Sequence, residues 1–226
     1  MKVVISGYGR MGHMVEAALA AKGIECAGAS EDIASFDKEI AKECVCIDFT
    51  VPDAFRANFK VLADNFKAVV VGTTGWNDIK DEVIGYFESK GTPMIYSSNY
   101  SVGVNVISAA VGLVARYLGQ AGGYAPYIVE KHHIHKLDAP SGTAKSLAAV
   151  VKESMGVTPD TAAVRVGELA GIHTVGFEGL NDRITLTHEA FSRKGFAEGA
   201  VLAAMMTEGL SGVHEFKELF FKDSSR

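Results

Sequence analysis

Histidine and lysine side chains that could exchange protons or bind anions are concentrated in one segment, residues 130–144. It reads EKHHIHKLDAPSGTA, and residues 131–136 hold three of the seven histidines and two lysines. Imidazole is a common zinc ligand, so a metal site is one interpretation. However, the segment has no H-x-x-x-H or H-E-x-x-H pattern, and the adjacent His132 and His133 would point to opposite faces of an extended chain. Purely structural histidines are a further alternative.

The turn that follows these histidines favours an anion site with acid catalysis. Ser141 or Asp138 can cap the helix that begins here. The N–H groups of Gly142 and Thr143 would then face outward, which suits a carboxylate. Lys136 adds a cation nearby, and positive neighbours make a lysine a usable proton donor near neutrality. The segment therefore predicts a pocket for a small carboxylate-bearing molecule that receives a hydride and a proton.

A glycine motif, Gly7-x-Gly9-x-x-Gly12, lies directly between a predicted strand and a predicted helix. Gly7 permits a tight turn, Gly9 lets a pyrophosphate approach the backbone, and Gly12 allows the helix to pack closely on the strand. The helix N-terminus offers N–H groups and a partial positive charge to the anion. In this context the motif predicts a dinucleotide site, and a glycine turn without a ligand is the alternative.

Three later turns extend this predicted site. Glu31 and Asp32 follow the second predicted strand, where a carboxylate can accept hydrogen bonds from the adenosine ribose and would repel a 2′-phosphate. We therefore predict NADH over NADPH, with a solvated loop pair as the alternative. Residues 72–75 and 97–101 follow further strands, and ligands of open α/β sheets bind beyond the carboxyl ends of strands. These two turns are predicted to hold the nicotinamide half.

The elements that must position these residues fall into two groups. Up to residue 100, β-rich runs alternate with helical patterns, which predicts a parallel sheet covered on both faces. After that, a long apolar helix over residues 102–118 precedes strands that alternate between residues 162 and 189. Turn signals between these strands predict an α+β unit with a mixed sheet. We therefore expect an α/β fold that begins with a Rossmann-like domain.

Composition excludes several classes of protein. With 22 basic and 27 acidic residues, the chain lacks the excess of Lys and Arg that a general nucleic-acid binder needs. Its N-terminus has too short an apolar run for a secretory signal. The helical part of residues 91–115 is expected to fall short of the roughly 20 apolar residues that span a bilayer. The three cysteines do not form a disulfide framework. We expect a cytoplasmic protein without a nucleic-acid or membrane partner.

Six segments, in order over nearly the whole chain, resemble the 4-hydroxy-tetrahydrodipicolinate reductases, also called dihydrodipicolinate reductases. The segment at 130–144 is highly specific, whereas the glycine motif alone would not separate one nicotinamide enzyme from another. The segments are GYGRMG (7–12), DFTVPD (48–53), GTTG (72–75), SNYSVGVNV (98–106), EKHHIHKLDAPSGTA (130–144) and THEAFSRKGFAEGA (187–200).

The resemblance implies that NADH or NADPH reduces a cyclic six-membered dicarboxylate to tetrahydrodipicolinate, with loss of water, in the diaminopimelate route to lysine. It implies that His132 is the catalytic acid/base and Lys136 the proton donor. It gives substrate binding to His133, Gly142 and Thr143. It gives dinucleotide binding to Gly7, Tyr8, Gly9, Arg10, Met11, Glu31, Gly72, Thr73, Thr74, Ser97, Ser98, Asn99 and Tyr100.

The resemblance also implies the domain organisation and the assembly. It implies a homotetramer formed through the C-terminal sheets, and a tail that returns to the cofactor domain. The dinucleotide-binding domain would then comprise residues 1–102 and about 194–226, and the substrate-binding and oligomerisation domain residues 103–193. Two other functions stay open from the residues: a different nicotinamide oxidoreductase of a small carboxylate, and a dinucleotide sensor that is not an enzyme.

Overall fold

The computed structural model describes residues 1–222, and the chain divides into two compact units. The first unit comprises Met1–Ser101 together with the segment that begins at Phe196, and the second comprises Val102–Gly195. The first unit contains a parallel sheet and the second a mixed sheet. The α/β fold class predicted from the sequence is therefore confirmed.

The helices and strands are numbered in chain order. Up to residue 101 they are β1 (Lys2–Ser6), α1 (Arg10–Ala21), β2 (Glu25–Ser30), α2 (Lys38–Ala41), β3 (Cys44–Asp48), α3 (Pro52–Asn65), β4 (Ala68–Val71), α4 (Lys80–Lys90) and β5 (Met94–Tyr96). The second unit contains α5 (Val102–Ala121), β6 (Ala125–His132), α6 (Gly142–Met155), β7 (Asp160–Arg165), β8 (Gly171–Glu178) and β9 (Arg183–Ala190). Then follow α7 (Lys194–Met206), β10 (Val213–Glu215) and α8 (Phe216–Lys222).

The first unit is built on six parallel strands in the order β10-β5-β4-β3-β1-β2. Every residue of β3 and β4 is buried, as expected for parallel strands that are covered on both faces. Ala200 and Phe216 lie in one hydrophobic cluster with Leu19 of α1, whereas Leu62 and Phe87 belong to the cluster of α3 and α4. Because the strands are parallel, the turns that follow β1 to β5 lie at one edge of the sheet.

The second unit is a four-stranded mixed sheet in the order β7-β6-β8-β9. The β6–β7 pair is parallel, and the other two pairs are antiparallel. Phe177 of β8 shares a hydrophobic cluster with Val111 of α5 and Leu147 of α6. One face of this sheet therefore packs against the two helices.

Helix α5 is longer than the sequence predicts. It has 20 residues and is, in the part of the chain described, the one helix long and apolar enough by length and composition to cross a membrane. The expectation that it falls short of a span was wrong, because the helix continues past Leu118 to Ala121. Its residues Val111 and Ala115 are buried in the cluster that also contains Leu147 of α6. Together with α6 it thus contributes to the core of the second unit.

Candidate active site

The glycine turn lies between β1 and α1 and requires glycine for steric reasons. Gly7 has a φ of +86°, a conformation that L side chains rarely adopt. A Cβ atom on Gly7 would also lie 2.5 Å from the carbonyl oxygen of Phe49, and one on Gly12 would overlap the carbonyl oxygen of Gly7. The turn therefore depends on close approach of the backbone at two of its three glycines.

The first turn of α1 is open to an anion. Its N-cap is Gly9, and among the described residues no side chain caps it by a hydrogen bond. A Cβ atom on Gly9 would have no atom of the described chain within 4 Å. Backbone N–H groups and the helix dipole are therefore available here, and they suit a pyrophosphate. Arg10 and Met11 are the first two residues of this helix.

Glu31, at the end of β2, contacts the glycine turn directly. Its Oε1 accepts a hydrogen bond of 2.8 Å from the backbone N–H of Tyr8. The hydroxyl of Tyr8 donates to the carboxylate of Glu16, and the Tyr8 ring lies 4.1 Å from the ring of His13. The structure thus brings two predicted cofactor residues, Tyr8 and Glu31, together.

A buried aspartate, which the sequence analysis missed, connects the turns after three strands. Asp48 ends β3, is 1% exposed and accepts hydrogen bonds from Ser6 Oγ at 2.7 Å and Thr73 Oγ1 at 2.6 Å. Thr50 Oγ1 donates to it at 3.2 Å. Burial raises the pKa of Asp48, and the hydrogen bonds from Thr73, Ser6 and Thr50 oppose that rise. Thr73 is therefore a structural anchor of its turn.

The turn at residues 97–101 is held by its own side chains. Ser97 Oγ accepts a hydrogen bond from the backbone N–H of Asn99 at 3.0 Å. Tyr100 is 1% exposed, and its hydroxyl contacts the carbonyl oxygens of Val71 and Ile95 at 2.9 and 3.0 Å. The side chain of Tyr100 thus belongs to the core.

The remaining predicted cofactor residues differ in exposure. Thr74 and Ser98 are exposed at the edge of the sheet where the strands end. Gly72 is constrained, because a Cβ atom there would overlap the ring of Phe49. All these turns follow strands of the one parallel sheet, so the structure gathers the predicted cofactor residues at one edge of it.

In the second unit, the centre of the histidine segment is a buried carboxylate. Glu130 in β6 is 0% exposed. Arg165 of β7 donates to its Oε1 and Oε2 at 2.9 and 3.0 Å, and the backbone N–H of Ser141 donates to Oε1 at 3.1 Å. Its Oε2 also contacts Nδ1 of His132. Four donors thus converge on one carboxylate beside the predicted catalytic histidine.

His132 ends β6 and is 7% exposed. Burial lowers the pKa of its imidazole, Glu130 opposes this effect, and the positive charges of Lys136 and Arg165 lower the pKa further. The net shift is downward, so the ring is neutral at neutral pH. The two predicted catalytic residues, His132 and Lys136, therefore act on each other electrostatically.

Lys136 lies on the loop between β6 and α6. Its Nζ forms an ion pair of 2.7 Å with Asp138, and its side chain is 23% exposed. A hydrogen bond from Lys136 lowers the pKa of Asp138. Arg165 fixes the same loop, because it donates to the carbonyl oxygens of Lys136 and Asp138 at 3.3 and 2.5 Å.

Ser141 is the cap of α6, which resolves the alternative that the sequence left open. Its Oγ accepts a hydrogen bond of 3.1 Å from the N–H of Ala144, whereas Asp138 pairs with Lys136. Gly142 and Thr143 form the first turn of the helix, Gly142 being exposed and Thr143 half-buried. The first turn of a capped helix thus lies at this loop, and a helix N-terminus suits an anion.

His133 differs from its neighbour in its surroundings. It is half-buried, and its Nδ1 is buried and has no hydrogen-bond partner within residues 1–222. Its ring lies 6.0 Å from that of His135. The same part of the chain contains no group of three or more His, Cys, Asp or Glu side chains that could hold a metal ion.

Two residues of this cluster escaped the sequence analysis, Arg165 and His173. Arg165 reaches Glu130 because β6 and β7 pair in parallel, with His132 opposite Arg165. His173 lies opposite Glu130 on β8, and its Nε2 is 2.9 Å from Ser141 Oγ. Neither residue lies in the histidine segment, and only the pairing of strands could have revealed them.

Comparison with known proteins identifies the family of this chain. The models for the N-terminus and the C-terminus of dihydrodipicolinate reductase match residues 1–100 and 103–220. The protein named 4-hydroxy-tetrahydrodipicolinate reductase from Paraburkholderia phymatum is 34% identical, over 93% of this chain and 95% of that one. Its counterpart from Methanopyrus kandleri is 40% identical, over 80% of this chain and 73% of that one.

A solved structure shares the fold. The dipicolinate-bound dihydrodipicolinate reductase from Paenisporosarcina sp. TG-14 has a TM-score of 0.80 and 20% identity, over 96% of this chain and 98% of that one. The resemblance found in the sequence is therefore confirmed, and the chain belongs to the dihydrodipicolinate reductase family.

Proposed function

We propose that this oxidoreductase uses NADH or NADPH to reduce 4-hydroxy-tetrahydrodipicolinate to tetrahydrodipicolinate and water, in the diaminopimelate route to lysine. The observation that carries the proposal is the cluster of His132, Lys136 and the first turn of α6 within one unit. Relatives that bear the name of this activity align over most of the chain.

The second unit would bind the dicarboxylate and supply the proton. The N–H groups of Gly142 and Thr143, at the start of α6, would bind a carboxylate together with His133. The nicotinamide, when bound, supplies a hydride. Hydride addition leaves a negative charge on the substrate, and a proton from Lys136 would neutralise it. His132 would act as the acid/base. The water would form from the 4-hydroxyl of the substrate and a hydrogen of the neighbouring ring carbon, and the hydride and the proton would add to the conjugated double bond that this loss leaves. Substrate, reduced nicotinamide and one proton thus give product, oxidised nicotinamide and water.

The first unit would hold the dinucleotide. The backbone from Gly7 to Met11 would bind the pyrophosphate at the open start of α1. Glu31 would accept hydrogen bonds from the ribose, which favours NADH over NADPH. The turns at residues 72–74 and 97–100 would hold the nicotinamide end.

Assembly and compartment form part of the same proposal. The enzyme would be a homotetramer that uses the face of the four-stranded sheet opposite α5 and α6. On that face alternate residues of β6 and β8, such as Val129 and Thr174, are half-buried. Its cysteines, Cys26, Cys44 and Cys46, are free thiols, which supports the reducing cytoplasm as its compartment.

The deciding experiment measures NADH oxidation with substrate that is freshly made by the preceding synthase, in parallel with NADPH. We expect rapid oxidation of NADH that depends on the cyclic substrate. Open-chain keto acids serve as the comparison, because faster turnover of these would support a different small-carboxylate reductase instead. NADH binding without consumption on any of these substrates would contradict the enzymatic function.

A further inference from the structure

Glu130 has surroundings that the proposed proton transfer does not by itself explain. The carboxylate is 0% exposed. Within the described residues, its hydrogen bonds are with three partners, Arg165, Ser141 and His132. Glu130 touches the predicted catalytic ring at Nδ1. A buried ionic group of this kind is costly unless it is fully paired, so its arrangement requires a reason.

The carboxylate is ionised, because its partners outweigh its burial. Burial raises the pKa of Glu130, but the hydrogen bonds from Arg165, His132 and Ser141 lower it, and the net shift is downward. An ionised carboxylate has acceptor oxygens only. The ring nitrogen that faces it must therefore carry a hydrogen, and that nitrogen is Nδ1 of His132.

We propose that Glu130, held by Arg165, is a positioning residue that keeps the proton of neutral His132 on Nδ1 and thereby leaves Nε2 as the nitrogen that exchanges a proton with the substrate. This inference rests on the proposed function. Glu130 acts through His132 and does not touch the substrate itself. A partner on one imidazole nitrogen sets the chemistry of the other, which is how histidine tautomers are fixed in proteins.

The space beside Nε2 agrees with this role. Gly171, the first residue of β8, has a φ of +154°, and a Cβ atom there would lie 2.9 Å from Nε2 of His132. A glycine at this position therefore keeps a side chain away from that nitrogen. The other charged or titratable groups around the ring are Lys136, Arg165 and His173, whose ring lies 5.0 Å away.

Arg165 gives the carboxylate its fixed orientation. Its guanidinium binds both oxygens of Glu130 and, on the same side chain, the carbonyl oxygens of Lys136 and Asp138. A planar guanidinium with several donors can make such a set of contacts, whereas an ammonium cannot. One residue of β7 thus links the orientation of His132 to the loop that carries Lys136.

The decisive variant is Glu130→Gln, which keeps the shape of the side chain and removes its charge. Nη2 of Arg165 and the N–H of Ser141 both donate to Oε1, so the new amide oxygen takes that position. The amide N–H then takes the position of Oε2, where it faces Nδ1 of His132 and replaces the acceptor for Nη1 of Arg165. The neutral ring then carries its proton on Nε2. We expect kcat to fall by about 100-fold or more, while KM stays near the wild-type value.

Nitrogen NMR of imidazole-labelled protein measures the tautomer directly. We expect the signal of neutral His132 to show an Nδ1–H form in the wild type and an Nε2–H form in Glu130→Gln. The pH profile of kcat/KM should shift as well. The Glu130 carboxylate raises the pKa of His132, so in Glu130→Gln the part of the profile that reflects protonation of His132 should move to lower pH. Glu168→Gln is the matched control, since Glu168 pairs with the exposed His135 at 3.3 Å and should keep the wild-type rate and profile.

The outcomes separate the inference from the proposed function. An Nε2–H tautomer in the wild type overturns the inference even if the Glu130 variant does not fold. A folded Glu130→Gln protein with wild-type kcat, or with reduced kcat and an unchanged tautomer, also overturns it. If the proposed function is wrong, the wild type itself consumes no NADH. The tautomer of His132 is measured separately by NMR, so it still supports or overturns the proposed role of Glu130.

Discussion

Nε2 of His173 lies 2.9 Å from Oγ of Ser141, where β8 meets the cap of α6. The Ser141 oxygen already accepts the N–H of Ala144, so its hydroxyl hydrogen is available to the ring. The hydroxyl also has a second lone pair, so the tautomer of His173 sets which of the two groups donates in this contact. Burial lowers the pKa of His173 to about 4, and the nearby His132 adds to the effect. A neutral histidine is therefore part of the helix cap.

The first prediction concerns acid stability. Because the pKa of His173 is about 4 in the folded chain and 6.5 for an unperturbed histidine, the unfolded state binds the proton first. The stabilisation that the neutral ring provides is complete above pH 6.5 and is lost as the pH falls toward 4. Its size is on the order of 3 kcal/mol. Urea unfolding of the wild type and His173→Gln between pH 7 and pH 4 should show a steeper loss in the wild type.

Two observations decide this prediction. His135→Gln is the control, because it makes the same replacement at an exposed side chain that takes no part in the helix cap. The neighbouring Glu130 raises the pKa of His173, whereas His132, His188 and Lys136 lower it. The wild type must therefore be compared with His173→Gln alone, in which these neighbours are unchanged. Parallel pH curves for the wild type and His173→Gln would refute the role of the neutral ring.

Local signals were sufficient for most of the fold. The alternation of strands and helices predicted the parallel sheet, and the start of helix α6 was predicted from its possible caps, Ser141 or Asp138, of which Ser141 is the cap. The turns of the cofactor half were likewise predicted, one from its glycine motif and the others from the ends of the strands that they follow. Signals of this kind are carried by residues close in sequence, so a single chain displays them.

Interactions between distant residues were not predictable in the same way. Arg165 reaches Glu130 only because β7 pairs with β6, and the three residues of β10 are too few to form a pattern. Tyr100 was predicted from its turn, but a turn position does not tell whether the side chain or the backbone faces the ligand. Its ring lies in the core, so that part of the site could come only from the structure.

The second prediction tests Lys136 as the proton donor. Lys136→Ala removes the ammonium group that pairs with Asp138, and we expect a fall in kcat of about 100-fold or more, since general acid catalysis contributes that much. Steady-state NADH oxidation with the cyclic substrate measures it. Lys145→Ala, an exposed lysine of α6, should retain the wild-type rate. An active Lys136→Ala enzyme would remove the assignment.

The third prediction tests Glu31 in the choice of cofactor. Glu31→Ala removes the proposed acceptor for the ribose and the hydrogen bond to the N–H of Tyr8. A hydrogen bond to a charged group contributes about 1.5–3 kcal/mol, so kcat/KM for NADH should fall about tenfold or more, and less for NADPH. Glu25→Ala, at the opposite end of β2, is the control. An unchanged ratio of the two cofactors would exclude Glu31 from this choice.

The fourth prediction concerns the packing of α7 against the turn at residues 97–101. A Cβ atom on Gly199 would overlap the carbonyl oxygen of Tyr100, so Gly199→Ala must displace either the helix or the turn. Overpacking of this kind costs roughly 1–3 kcal/mol. Urea unfolding should report this loss, and because the turn is proposed to hold the nicotinamide, calorimetry should also report weaker binding of NADH.

Gly85→Ala separates this effect from the general effect of adding a methyl group to a helix. Gly85 lies in α4, and a Cβ atom there would meet nothing within 4 Å in the part of the chain that the structure describes. Because alanine favours a helix over glycine by about 0.5–1 kcal/mol, this variant should be slightly more stable than the wild type and bind NADH equally well. If both alanine variants gained stability, the close approach of α7 to Tyr100 would not hold in solution.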